Sequence, residues 1–168
     1  MLSLAAFWEV KLMARRVFFS FHYKNDVWRA NQIRNSWVTQ GREAAGFIDA
    51  AEFEKLKKDD SAIKRWIDNQ LSGTTVTVVL IGSETSSRPY VQYELQKSYQ
   101  KGNGIIGVHL HNCKDRDGNT CAKGSTTFGE LGKDRNGQPV YFFQIATVYD
   151  YVDDNGYKNL GDWIDNAA

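Results

Sequence analysis

Glu94 is a lone carboxylate in a setting where a carboxylate can do chemistry. It follows the run Thr75-Val-Thr-Val-Val-Leu-Ile-Gly82, then a polar loop, Ser83 to Pro89, then Tyr90-Val-Gln-Tyr-Glu94-Leu-Gln-Lys-Ser-Tyr-Gln-Lys101. The unbroken β-branched and apolar run predicts a buried strand. Pro89 suits the first turn of a helix. Ligands in open α/β sheets bind beyond the carboxyl ends of the strands, so Glu94, near Arg88, Tyr90 and Tyr93, sits where a ligand is expected. Two further strand ends carry comparable groups. Arg16-Val-Phe-Phe-Ser-Phe21 predicts a first strand, with Ser20, Phe21, His22 and Tyr23 at its end. Gly46-Phe-Ile-Asp49 predicts a short second strand ending in an acid. On one shared rim, aromatic rings could stack on a base or a nicotinamide ring, and serine and histidine could bind ribose or phosphate.

Other clusters carry weaker chemistry. His109, His111 and Cys113 alternate at the end of a candidate strand, and Cys121 follows. Two histidines and two cysteines could hold zinc, although this spacing matches no established zinc pattern, and pocket lining or packing is the plainer reading. Asp115-Arg-Asp117-Gly118-Asn119 superficially resembles a calcium loop. Glycine comes fourth rather than sixth, and Thr126 stands where glutamate is required, so a turn is expected instead. No G-x-S-x-G, G-x-G-x-x-G or P-loop sequence occurs, which argues against nucleophile-elbow hydrolases, dinucleotide-fold dehydrogenases and P-loop kinases.

The elements that must position these residues alternate. Val27, Ala30, Ile33 and Trp37 recur at helical spacing, with Asp26 suited to cap that helix, and Gly41 to Ala45 break it. Asp60 or Ser61 can cap a helix with Ile63, Trp66, Ile67 and Leu71 on one face. Val91, Leu95, Ser98 and Tyr99 form the inner face of the helix that carries Glu94, and Gly102-Asn103-Gly104 stops it. Ile105 to Leu110 predicts the fourth strand and Val140 to Ile145 the fifth. Leu160, Trp163 and Ile164 mark a last helix. The alternation predicts an α/β fold, a flavodoxin-like open parallel sheet of about five strands with helices on both faces. Between Asn112 and Pro139 a polar, glycine-rich segment repeats one phrase, Lys114-Asp-Arg-Asp-Gly118 and Lys133-Asp-Arg-Asn-Gly137, which predicts two tight hairpin-type turns.

Composition narrows the function. The 168 residues are 42% hydrophobic and 24% charged with a net charge of +1, so one domain with a sizeable core is expected, without the electrostatic footprint of a nucleic-acid or membrane-surface binder. Two cysteines do not make a disulfide framework, and a reducing, cytoplasmic setting fits. No apolar run approaches a membrane span. Residues 1–12 lack a signal-peptide pattern, and Met13 precedes the first strand. They read either as an extension from an upstream start or as a docked helix, ahead of a domain over 13–168.

Taken together, these phrases resemble a known family. Val17-Phe-Phe-Ser-Phe21 with Asp26, Phe47-Ile-Asp49, and Val78-Val-Leu-Ile-Gly-Ser83 through Glu94-Leu95 resemble the boxes of TIR domains. More narrowly, Arg15 to Tyr23, Arg34-Asn-Ser-Trp-Val-Thr39, Val79 to Ser83, and Tyr93 through Asn103 resemble the TIR-like ThsB proteins of the Thoeris antiphage system. The resemblance implies NAD as substrate and cleavage of its bond to nicotinamide. It implies a cyclic or conjugated ADP-ribose signal that activates a partner effector, ThsA. It implies Glu94 as the catalytic residue and Phe19, Ser20, Phe21, His22, Asp49 and Tyr90 as substrate-binding residues, with no resident cofactor or metal. Homo-oligomerisation is an expectation of the family. A non-catalytic adaptor built on the same domain is the alternative. Many TIR domains carry Ser-x-Trp-Cys-x-x-Glu, whereas Arg88, Tyr90 and Val91 stand at the first three of those places here.

Overall fold

The computed structural model describes residues 16–48 and 50–168. Residues 1–12, Met13 and Asp49, on which expectations above fall, lie outside the described residues. In chain order the elements are β1 (Val17–Ser20), α1 (Tyr23–Thr39), β2 (Ala44–Ala45), α2 (Ala50–Leu56), α3 (Asp60–Leu71) and β3 (Val76–Ile81). A 3-10 turn (Thr85–Ser87) leads into α4 (Pro89–Lys101), followed by β4 (Gly104–His109). Then come β5 (Gly132–Lys133), β6 (Pro139–Val140), α5 (Phe142–Ile145), β7 (Thr147–Asp150) and α6 (Gly156–Ala167). Five strands form a parallel sheet in the order β2-β1-β3-β4-β7, and β5 and β6 form a separate antiparallel pair. This is the expected flavodoxin-like arrangement, with its order reversing between β1 and β3.

Strand periodicity divides the core. Val17, Phe19, Val76, Val78, Leu80, Ile106 and Val108 pack on one face with Ile33 and Trp37 of α1 and Leu160, Trp163 and Ile164 of α6. On the other face, Val79, Ile81 and Ile105 pack with Val91 and Leu95 of α4, and Phe18 and Ala45 with Ile63, Ile67 and Leu71 of α3. Ser20, two residues on from Phe18, therefore points toward α4, where its hydroxyl meets Glu94.

Several expected boundaries move. The second strand is Ala44–Ala45, and Gly46 to Ile48 lie beyond it. Gly46 has φ of +90°, and a Cβ there would stand 2.2 Å from the Phe19 carbonyl oxygen, so the chain turns at this glycine instead of extending the strand. The fifth sheet strand is Thr147–Asp150, not Val140 to Ile145. In the expected segment Val140 pairs in the small ladder and Phe142–Ile145 form a helical turn, which buries Phe142 and leaves Phe143 78% exposed. His22, not Asp26, caps α1, its Nδ1 accepting the Asn25 N–H at 3.3 Å. The cap of α3 is Asp59, whose carboxylate accepts the Ser61 and Ala62 N–H groups.

The repeated phrase folds twice into the same turn. Asp115 Oδ1 accepts the N–H of Asp117 and Asn119, both at 2.9 Å. Asp134 Oδ1 accepts those of Asn136 at 2.8 Å and Gln138 at 2.9 Å. In each, the glycine N–H closes on the aspartate carbonyl at 3.1 Å. Only the second turn joins a strand pair.

Candidate active site

Beyond the carboxyl ends of β1 and β2, among α2, α3 and α4, lies a cleft of about 100 Å³. A water molecule needs about 10–15 Å³ by the same measure, so the cleft admits a ring-sized group. Phe21, Tyr23 and Phe53 wall one side, and Trp66, Tyr90 and Val91 the other, with Glu94 among the lining residues. Tyr23 and Phe53 stack at 4.1 Å between ring centres, and Phe21 packs against Phe47 at 5.1 Å. The exposed cations Lys24 and Arg88 stand at the lip.

Helix α4 sets Glu94. Pro89 opens it, Arg88 is its cap residue, and Gly102, at φ of +86°, ends it in the left-handed conformation expected of a glycine stop. Because Val91 and Leu95 face the sheet, Glu94, on the same side of the helix, is drawn inward and is 8% exposed. Burial pushes its carboxyl up to about 8, opposed by the hydrogen bond from the Ser20 hydroxyl. Among the described residues no arginine or lysine contributes to that balance.

His22 is buried and its pKa is lowered, by burial first and by the Arg88 charge second, so the ring is neutral near pH 7. Tyr90 lines the cleft and donates its hydroxyl to Asp60 at 2.9 Å, and Tyr93 donates to Asp68 at 3.0 Å, joining α4 to α3. Of the residues expected at the site, Glu94, Ser20, Phe21, His22 and Tyr90 come together here. Phe19 does not. It is wholly buried and packs edge-on to Trp37 on the α1 side, because alternate residues of a strand face opposite ways. Tyr23, expected on the rim of the first strand, also lines the cleft, whereas Lys24, Phe53 and Trp66 were not among the expected site residues. The helical spacing of Trp66 with Ile63 and Ile67 was the available signal.

Asp26 occupies a second buried polar site, on the α1 side of the sheet next to Gly82. It is 1% exposed, 3.7 Å from Arg29, and raised to about 6, mainly by burial and against the pull of Arg29. A Cβ at Gly82, just past β3, would lie 2.2 Å from its carboxylate, so a larger residue there would have to displace Asp26. Arg29 also donates to the carbonyls of Cys113 at 2.8 Å and Asn119 at 2.9 Å.

His109, His111 and Cys113 are all buried at the end of β4, the two imidazoles edge-on at 5.5 Å. His111 Nε2 lies 3.7 Å from Asp150, and burial raises the Cys113 thiol to about 11. Among the described residues no group of three or more histidine, cysteine, aspartate or glutamate side chains is placed to hold a metal ion. Nor is any helix among them long and apolar enough to cross a membrane.

A five-stranded parallel sheet in this order, with an acid beside its switch point, defines a flavodoxin-like domain of the TIR type. The family model described as "Thoeris protein ThsB, TIR-like domain" matches residues 18–115. A protein of Bacillus cereus (strain MSX-D12), named "Putative cyclic ADP-D-ribose synthase ThsB1", is 37% identical over 191 aligned residues, which cover 90% of this chain and 100% of that protein. The chain belongs to the ThsB family of Thoeris proteins.

Proposed function

We propose that this chain is an NAD-consuming enzyme, which cleaves the nicotinamide–ribose bond and converts the rest into a cyclic or conjugated ADP-ribose signal for an antiphage effector of the ThsA kind. The observation that carries the reading is Glu94 in an aromatic-walled cleft with no cation among the described residues balancing it. The name of the Bacillus cereus relative, a cyclic ADP-D-ribose synthase, supports the same chemistry.

The nicotinamide of NAD is a cationic ring. Seated in the cleft, it supplies the positive charge that Glu94 lacks and favours the ionised carboxylate. Aromatic walls suit its flat faces. The remaining sugars and phosphates then cross the lip, where Lys24 and Arg88 offer charge. As the C1′–N bond stretches, nicotinamide leaves neutral and needs no proton, while the ribose gains oxocarbenium character. A fixed carboxylate beside it stabilises that charge. One acid therefore suffices. The product depends on which nucleophile reaches C1′: water gives ADP-ribose, a hydroxyl or base of the same molecule gives a ring, and a bound external group gives a conjugate.

Nicotinamide release by the Glu94→Gln protein is the test, with a loss on the order of 10³-fold expected at unchanged fold. Normal turnover by that variant overturns the reading. The adaptor alternative draws on exposed Phe143, Ile145 and Val148 beside the edge strand β7. It requires that NAD give no nucleotide product, with or without lysate from infected cells.

A further inference from the structure

Glu94 is carried on a helix whose buried side is not wholly apolar. The Ser98 hydroxyl donates to the Glu94 backbone carbonyl at 2.7 Å and meets the Thr77 hydroxyl at 2.6 Å. Asn103 Nδ2 donates to Thr77 at 3.2 Å and to Thr74 at 2.9 Å. These groups key α4 to β3, and none of them touches the carboxyl. Ser20 does. It is the last residue of β1, wholly buried and opposite Val79 in the parallel register, so its hydroxyl has no water to turn to. Its hydroxyl donates to Glu94 Oε2.

We propose that Ser20 is a positioning residue for Glu94, tying one carboxylate oxygen to the end of β1 so that the other is held toward the cleft. A hydroxyl donor also favours the charged carboxylate over the neutral acid. Among the described residues it is the one group that offsets the burial of Glu94, so its removal strengthens proton binding as well as freeing the side chain to rotate. The catalytic part of this role rests on the NAD reading above. The ionisation part does not.

The experiment follows the Glu94 carboxyl carbon by NMR in protein labelled with 13C-glutamate, with Glu94→Gln identifying the resonance. Wild type, Ser20→Ala, Ser20→Cys and Ser20→Thr are titrated without substrate, and thermal unfolding confirms that each is folded. Removing the donor raises the Glu94 midpoint by about one pH unit or more, as expected for a hydrogen bond to a charged group. Cysteine, close in size to serine but a weak donor, gives a rise in the same direction, and threonine, which keeps the hydroxyl, restores the wild-type midpoint. In nicotinamide release, kcat of the alanine protein falls and its pH dependence moves to higher pH, with KM little changed. A midpoint unmoved in both the alanine and cysteine proteins overturns the proposal whatever the turnover shows. If alanine does not fold, the cysteine protein decides alone. A wild type that releases no nicotinamide contradicts the NAD reading, and the titration then decides the role of Ser20 by itself.

Discussion

Two carboxylates are buried near strand carboxyl ends, Asp26 of α1 beside Gly82 and Glu94 of α4, on the other face of the sheet, beside Ser20, and they are held in opposite ways. Asp26 has a guanidinium at 3.7 Å, and that arginine is itself fastened to two backbone carbonyls of the segment after β4. Glu94 has a neutral hydroxyl. Burial raises both acids, Asp26 to about 6 and Glu94 to about 8. The difference teaches where the molecule invests its charge. An acid meant to brace the fold is matched with a permanent cation, because a buried ion left alone is costly. An acid left unmatched beside a cleft keeps its electrostatic demand for a ligand.

The sharpest test of that contrast is pH. Between about pH 4.5 and 8 the folded chain keeps a proton on Glu94 that the unfolded chain has lost, so stability falls as pH rises through this window. Glu94→Gln removes that fall. Its stability relative to wild type, from denaturant melts, should increase by roughly 5 kcal/mol between the bottom and the top of the window. A constant difference breaks the comparison at Glu94. Arg29→Met attacks the other side. It strips Asp26 of its cation and two carbonyls of their donor, and should destabilise by about 3–5 kcal/mol, with Asp26 titrating above its present value. A change in Tm of less than 2 °C would mean that the pair does not brace the fold.

For Asp26 itself the window is lower. Its raised carboxyl makes stability fall between about pH 4 and 6, and Asp26→Asn should flatten that part of the curve by roughly 3 kcal/mol. An unchanged slope would show that Arg29 compensates the charge fully. Smallest is the effect at the exposed acids, which set the baseline. Tyr93→Phe removes the hydroxyl that Asp68 accepts and should cost under about 1 kcal/mol at any pH from 5 to 9. A loss comparable to that of Arg29→Met would mean that burial is not what separates these acids.

The sequence made some of this legible through strong local physics. The β3 run, the Gly102 stop and the twin Asp-x-x-Gly turns each rest on one dominant preference, and each stands where expected. Glu94 was legible because it follows an unmistakable strand. Weaker signals misled. Ala44 and Ala45 carry no strand preference, yet pair with Val17 and Phe18 because β1 offers them an edge. Phe142 and Phe143 look like strand residues, but one fills the core under β4 and the other faces solvent. Thr147 to Asp150 is too short and too exposed for its alternation to stand out. Asp26 matched the preference for a cap. Its spacing from Arg29 was the competing signal, and nothing in the spacing alone says that both side chains are buried.

The hydroxyl and amide contacts under α4 have a consequence for when the site comes into being. A helix seated on leucines and valines alone can slip, and a slip of one residue moves every side chain by about 1.5 Å along the axis and about 100° around it. Such an error would swing Glu94 out of reach of β1 and put Tyr93 or Leu95 in its place. Here a slip would strand Ser98, Thr77 and Asn103 in a dry interior without partners, each at a cost comparable to a lost hydrogen bond. The accuracy of the carboxylate is therefore settled as the chain folds, so a ligand arriving at the cleft meets a finished site and has no helix to adjust.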